Sequence, residues 1–149
     1  MNAQLQDRLT LLLRKIDEPG LELNAQNDDD LIALAQKMLN EASKVITIEG
    51  LRIITQINGL DYNGISIYGF TNNNHLSILF QNREWSDVLK DANPEMLKYT
   101  FLGESGDDLY VYDDASLTYS VLDRYTGEVV EVFQNPDQLY IYIIDYMMN

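Results

Sequence analysis

Residues 101–132 constrain the fold most, because apolar residues recur there at every second position and turn-forming residues interrupt them at short intervals. Side chains of a β-strand alternate between its two faces, so this spacing predicts strands. Residues 113–116 and 125–127 predict reversals of the chain, since Asp and Ser bond their own backbone in turns and Gly127 can adopt a positive φ. The stretch therefore predicts an antiparallel meander.

Helical spacing of apolar residues recurs on both sides of this stretch. The predicted helices cover residues 3–16, 29–43 with a cap at Asn27 and Asp28, 47–57, 83–92 and 137–147. Further strands are predicted at residues 65–70 and 96–102, and a short extended segment at 76–80. We expect Trp85 to anchor its helix to the sheet, with a hydrogen-bond partner for the indole N–H.

These elements together predict an α+β fold, an antiparallel meander sheet with helices packed on one face. The strands alternate and are not apolar throughout, unlike strands of parallel sheets that are covered on both sides. The length of 149 residues predicts a single domain, residues 1–149, with residues 1–44 as its N-terminal helical part.

The absence of cysteine and of long apolar runs limits the cellular setting. Without cysteine there are no disulfides, and a reducing cytoplasm is the simplest location. No apolar run approaches the length of a membrane span, and the first 16 residues lack the features of a signal peptide. We therefore expect a cytoplasmic protein without a membrane segment.

The net charge of −14 is spread unevenly along the chain. Residues 1–83 carry 10 acids and 7 bases, whereas residues 84–149 carry 14 acids and 3 bases. Such a field repels phosphate, so binding to nucleic acid or to an anionic membrane is not expected, while a basic protein partner is favoured. Plain solubility is an alternative explanation for the same charge.

No residue pattern predicts catalysis, a cofactor or a metal site. The aspartates at 28–30 lack the spacing of a calcium loop and are expected to start a helix. His75 is the only histidine and stands in a polar loop, and the glycines at 103 and 106 lack the lysine of a phosphate loop. Asp113 and Asp123 could in principle act as a carboxylate pair, so a small hydrolase using sheet carboxylates remains an alternative.

Five segments carry a resemblance to a known family. They are Asn58-Gly59 at the end of a helix, Asn63-Gly64, a strand ending in Tyr68-Gly69, the glycine-rich turn and strand of residues 101–112, and the paired strand of residues 119–124. With these segments the chain resembles the SMI1/KNR4 (SUKH) superfamily and is most similar to its YrhA-like branch.

The resemblance covers about residues 45–147, although the helix before Asn58 lacks the tryptophan of better-known members. It implies a protein-binding domain that is not an enzyme. The leading implied function is that of an immunity protein, which neutralises a toxin, often a nuclease, delivered by a neighbouring bacterium. A regulatory or scaffold adaptor is the other function that the resemblance implies.

A partner site is predicted on the sheet face that the helices leave open. Tyrosine offers a large contact area at low entropy cost, and carboxylates select basic partners. The predicted partner-binding residues, with tyrosines as anchors and acids at the edge, are Asp107, Asp108, Tyr110, Tyr112, Asp113 and Asp114. The alternative is that these tyrosines simply cover the sheet.

Overall fold

The computed structural model describes residues 1–16, 29–70 and 74–149. The helices of this part are α1 (Ala3–Ile16), α2 (Asp29–Glu41), α3 (Ile48–Ile57), α4 (Ile78–Ala92) and α5 (Pro136–Met148). Its strands are β1 (Leu60–Tyr62), β2 (Ile65–Ile67), β3 (Tyr99–Glu104), β4 (Asp108–Asp113), β5 (Thr118–Asp123) and β6 (Val129–Phe133). Short 3-10 helices occupy Asn74–Leu76 and Pro94–Lys98. The predicted cap at Asn27 and Asp28 and residues 71–73 of the predicted polar loop lie outside the described residues.

The six strands form one antiparallel sheet in the order β1-β2-β3-β4-β5-β6. The predicted meander and the α+β class are therefore confirmed. Strand β1 was not predicted, because residues 60–64 had the composition of a turn. Asn63 and Gly64 have φ values of 55° and 79° and form a two-residue hairpin turn, whose geometry matches the twist of the flanking strands.

Helix α4 covers one face of the central strands. Val111 of β4 lies beside Phe101 of β3 in the sheet register. The Trp85 ring of α4 stacks on Phe101 with 5.4 Å between ring centroids, and its indole N–H donates to the hydroxyl of Tyr68 at 3.3 Å. Trp85 is thus the predicted anchor between helix and sheet.

The opposite face is covered by α3 and α5. Tyr112 of β4 lies beside Tyr119 of β5, and their ring centroids are 4.9 Å apart. Tyr119 bonds the hydroxyl of Thr47, the residue that caps α3, while Phe133 of β6 packs on Tyr142 of α5. Helices therefore pack on both faces of the sheet, and the expectation that one face stays open is wrong. Alternation alone could not show this, because tyrosine occurs both in cores and on surfaces.

Asn82 joins α4 to the backbone of β3. Its side-chain amide donates to the carbonyl of Phe101 at 2.9 Å, and its oxygen accepts the N–H of Phe101 at 2.8 Å. Strand β2 pairs with β3 only at Glu104 and Gly103 and does not reach Phe101, so the Asn82 amide serves the backbone of Phe101 in its place. The buried side chain thereby sets the position of α4 along the sheet.

Several element boundaries differ from the predicted ones. Residues 76–80, predicted to be extended, contain the start of α4, where Ser77 caps the helix by accepting the N–H of Phe80 at 3.3 Å. The strand predicted from residue 96 begins at Tyr99, after the 3-10 helix. In α5 the inward side chains include Tyr140 and Ile144, whereas Tyr146 is exposed.

Within the described ranges, no helix has both the length and the apolar character that crossing a lipid bilayer requires.

Gly69 lies where two loops meet. A Cβ at this position would overlap the backbone of Asn58 and Gly59, and Phe70 donates its N–H to the side chain of Asn58 at 3.0 Å. Backbone atoms cannot move aside as a flexible side chain can. The close approach explains why a glycine follows Tyr68.

We predict that Gly69→Ala lowers the free energy of unfolding by about 2 kcal/mol or more, because the added methyl group forces the two loops apart. Urea denaturation of the variant and of the wild type measures this change. The matched control is Gly106→Ala, since a Cβ at Gly106 meets no atom within 4 Å. The control should change stability by less than about 0.5 kcal/mol, and an equal loss in both variants would contradict the packing argument.

Candidate functional site

The structure divides the predicted partner site into three parts. Asp107 and Asp108 lie at the start of β4, and Asp113 and Asp114 lie at its other end. The two tyrosines stand between them and are buried, with exposed fractions of 0% for Tyr110 and 2% for Tyr112.

Their burial removes the tyrosines from any docking surface. The hydroxyl of Tyr112 donates to a carboxylate oxygen of Asp114 at 3.2 Å. The pKa of Tyr112 is raised to about 12, mainly because the side chain is buried and secondly because of this hydrogen bond. The role of partner anchors predicted for Tyr110 and Tyr112 is therefore corrected, because both rings are covered within the fold.

The carboxylate pair considered for hydrolysis does not come together. Asp123 lies opposite Asp108, whereas Asp113 lies opposite Thr118 at the far end of the same two strands. Five residues of extended strand place Asp113 and Asp123 roughly 17 Å apart along the sheet, farther than the carboxylates of a glycosidase. These two aspartates cannot act on one bond.

Acidic residues meet instead at the end of the sheet where β4 starts and β5 ends. Burial raises the pKa of Asp108, and the negative charges of Asp107 and Asp123 raise it further. Asp123 accepts the backbone N–H groups of Thr126 at 2.9 Å and Tyr125 at 2.8 Å, and these bonds lower its pKa. Asp123 therefore remains a fixed negative charge beside Asp108.

Strand β6 extends this acidic region along the rim of the sheet. Its valines are half exposed, at 53% for Val129, 54% for Val130 and 48% for Val132. Exposed carboxylates of Glu128 and Glu131 stand among them. We define the acidic edge as Asp107, Asp108, Asp123, Glu128, Val129, Val130, Glu131 and Val132.

Acids outnumber bases at the acidic edge, where the exposed Lys98 lines a small cavity together with Glu128. Residues 99–149 contain ten acids, and their only base is Arg124. The guanidinium of Arg124 lies 3.5 Å from a carboxylate oxygen of Glu104, donates to the carbonyl of Ser105 at 2.8 Å, and sits over the ring of Trp85. Arg124 is thus engaged on the α4 side of the sheet.

Potential metal ligands are dispersed. His75 is exposed, and its ring nitrogen is 3.7 Å from a carboxylate oxygen of Asp61. In the part of the chain that the structure describes, no three His, Asp or Glu side chains are grouped so that they could hold a metal ion.

Sequence reasoning found the acids at 107 and 108 but missed Glu128, Glu131 and the valines of β6. The pattern of residues 128–133 predicts a strand correctly, but it does not indicate that this strand is the last one in the sheet. The position of β6 at the end of the meander identifies it as an edge strand, because the last strand has a neighbour on only one side.

Comparison with protein-family models, with curated proteins and with solved structures finds no match for this chain.

We predict that Asp108→Asn raises the thermal unfolding midpoint at about pH 7 and leaves it unchanged at about pH 3. A raised pKa means that the folded chain binds the proton more tightly than the unfolded chain. Ionisation of Asp108 therefore destabilises the fold, and this cost is absent below the unfolded pKa of about 4 and complete above the folded pKa.

Calorimetry at the two pH values measures the midpoints. The control is Asp7→Asn, which removes an exposed carboxylate from α1, remote in sequence from the acidic edge, and should show no such pH-dependent gain. A lower midpoint for Asp108→Asn at neutral pH would show that the carboxylate stabilises the fold.

Proposed function

We propose that the chain is a cytoplasmic protein-binding domain that docks a basic protein through its acidic edge. We further propose that this partner is a toxin domain, often a nuclease, so that the chain acts as an immunity protein of a bacterium. The class of function is supported by the resemblance to the SMI1/KNR4 (SUKH) superfamily. The chemistry of the partner is supported by the acidic edge.

The observation that carries the proposal is that half-exposed valines stand beside carboxylates that outnumber the nearby bases. Apolar side chains supply contact area when a partner excludes water from them. Carboxylates at the rim speed the encounter with a positive surface and reject negative ones. Nuclease sites that hold phosphate are typically electropositive, and such a surface would complement the acidic edge.

The negative electrostatic field of the acidic edge opposes the binding of other classes of partner. Nucleic acid and anionic lipid headgroups carry phosphate, which the carboxylates repel. The proposal includes no enzymatic activity and no cofactor, because binding to the toxin would suffice for neutralisation.

We predict that the double substitution Glu128→Lys/Glu131→Lys slows association with the basic partner by about tenfold at low salt. The rate difference should nearly vanish at about 1 M salt, where charges are screened within about 3 Å. The partner is first identified by capture on the wild-type protein, and association rates are then measured by stopped flow.

The matched control is Glu84→Lys/Asp91→Lys, which makes the same change in net charge on exposed residues of α4. If both double variants slow association equally, net charge alone determines the rate and the acidic edge is not the site.

The immunity function has its own test. The captured protein is expressed in bacteria alone and together with this chain, and growth is measured. We expect growth arrest that the wild-type chain relieves and the Glu128→Lys/Glu131→Lys variant relieves less. A harmless partner would contradict the immunity function and favour the adaptor.

A further inference from the structure

We infer that the outer edge of β6 binds an extended, basic segment of a protein partner as a seventh strand of the sheet. This inference rests on the proposed function and deepens it, because it states how the partner is held.

The backbone of β6 is available on one side. β6 pairs with β5 from Phe133 opposite Tyr119 to Val129 opposite Leu122, and it is the last strand in the sheet. Among residues 1–16, 29–70 and 74–149, no strand pairs with its outer side. A strand at such an edge presents N–H and C=O groups that can bond an incoming chain.

The other edge of the sheet is less suited to such pairing. β1 has only three residues, and its central residue is the exposed Asp61, close to His75. Short length and a charge at the centre are common means of preventing edge pairing. The two edges thus differ, and only β6 combines five residues with half-exposed valines.

The side chains of β6 suit an added strand. Valine is favoured in strands, and a neighbouring strand would cover the exposed methyl groups by cross-strand packing. The register shifts near Val121 and Leu122, so that Val130 lacks a partner in β5 and the strand is irregular there. Residues 131–133 therefore offer the regular part of the ladder, with Val132 at its centre.

Charge determines which occupant fits. Pairing β6 with the same strand of a second copy would bring together two chains that each carry a net charge of −14. It would also place the Glu131 carboxylates of both copies along one ladder, with Glu128 directly before the strand in each copy. A strand that alternates β-branched residues with Lys or Arg would instead cover the valines and neutralise these carboxylates.

The test uses a synthetic nine-residue peptide of alternating valine and lysine, together with a control peptide in which every valine is replaced by proline. The two peptides carry the same charge, but proline has no N–H donor and does not continue a β-ladder. We expect the valine peptide to bind and to slow amide exchange of residues 131–133, as measured by NMR. The proline peptide should leave this exchange unchanged.

The variant that tests the edge is Val132→Lys, which is expected to weaken binding of the valine peptide by about tenfold, equivalent to about 1.4 kcal/mol. The control is Val88→Lys, because Val88 is exposed to a similar degree, at 59%, and lies on α4. Both variants add one positive charge and both positions are solvated. Far-UV circular dichroism and urea denaturation confirm that each variant is folded.

The possible outcomes distinguish the added strand from the proposed function of the acidic edge. If the proline peptide binds as well, or if Val88→Lys and Val132→Lys weaken binding equally, attraction is purely electrostatic and the added strand is refuted while the acidic edge stands. If the Glu128→Lys/Glu131→Lys variant binds both the peptide and the captured partner as tightly as the wild type does, the acidic edge is not the binding site and the proposed function is refuted. A concentration-dependent dimer that Val132→Lys abolishes would show that a second copy occupies the edge.

Discussion

Burial of both faces of β4 and β5 is the constraint on which the rest of the structure depends. Each strand has four consecutive buried residues, so apolar cover is needed above and below the sheet. Trp85 of α4 contributes it on one side, and α5 together with the start of α3 contributes it on the other. This arrangement removes the tyrosines of the central strands from contact with any partner.

Two sets of side-chain hydrogen bonds fix the positions of the helices relative to the sheet. The amide of Asn82 bonds the backbone of Phe101 on the α4 side, and the hydroxyl of Tyr119 bonds Thr47 at the start of α3. Buried polar groups of this kind need partners, so each bond favours one position of the helix over its neighbours. Apolar packing alone would allow the helices to shift along the strands.

Because the centre of the sheet is covered, the proposed partner would meet the strand backbone at the rim. There the like charges of Asp108 and Asp123 face each other across two strands, which is unfavourable for the isolated protein. A basic partner would relieve that repulsion on binding. The proposed function and the added strand both follow from the same physical feature, an acidic and partly apolar edge.

The extent to which sequence predicts this fold differs between local and long-range features. Alternation, helical spacing and turn chemistry identified the α+β class, the meander and the helices, because these signals arise between residues close in the chain. The pair Asn63-Gly64 was a hairpin signal as well, and only the brevity of β1 concealed it.

By itself the sequence determined the periodicity of each element, the acidic character of residues 84–149 and the absence of cysteine chemistry. Only the tertiary structure decided that both faces of β4 are covered, that Tyr110 and Tyr112 are buried, that Asp113 lies far from Asp123, and that β6 is an edge. The physical reason is that burial and pairing depend on neighbours distant in the chain, and strand alternation is the same whether one face or both faces meet a helix.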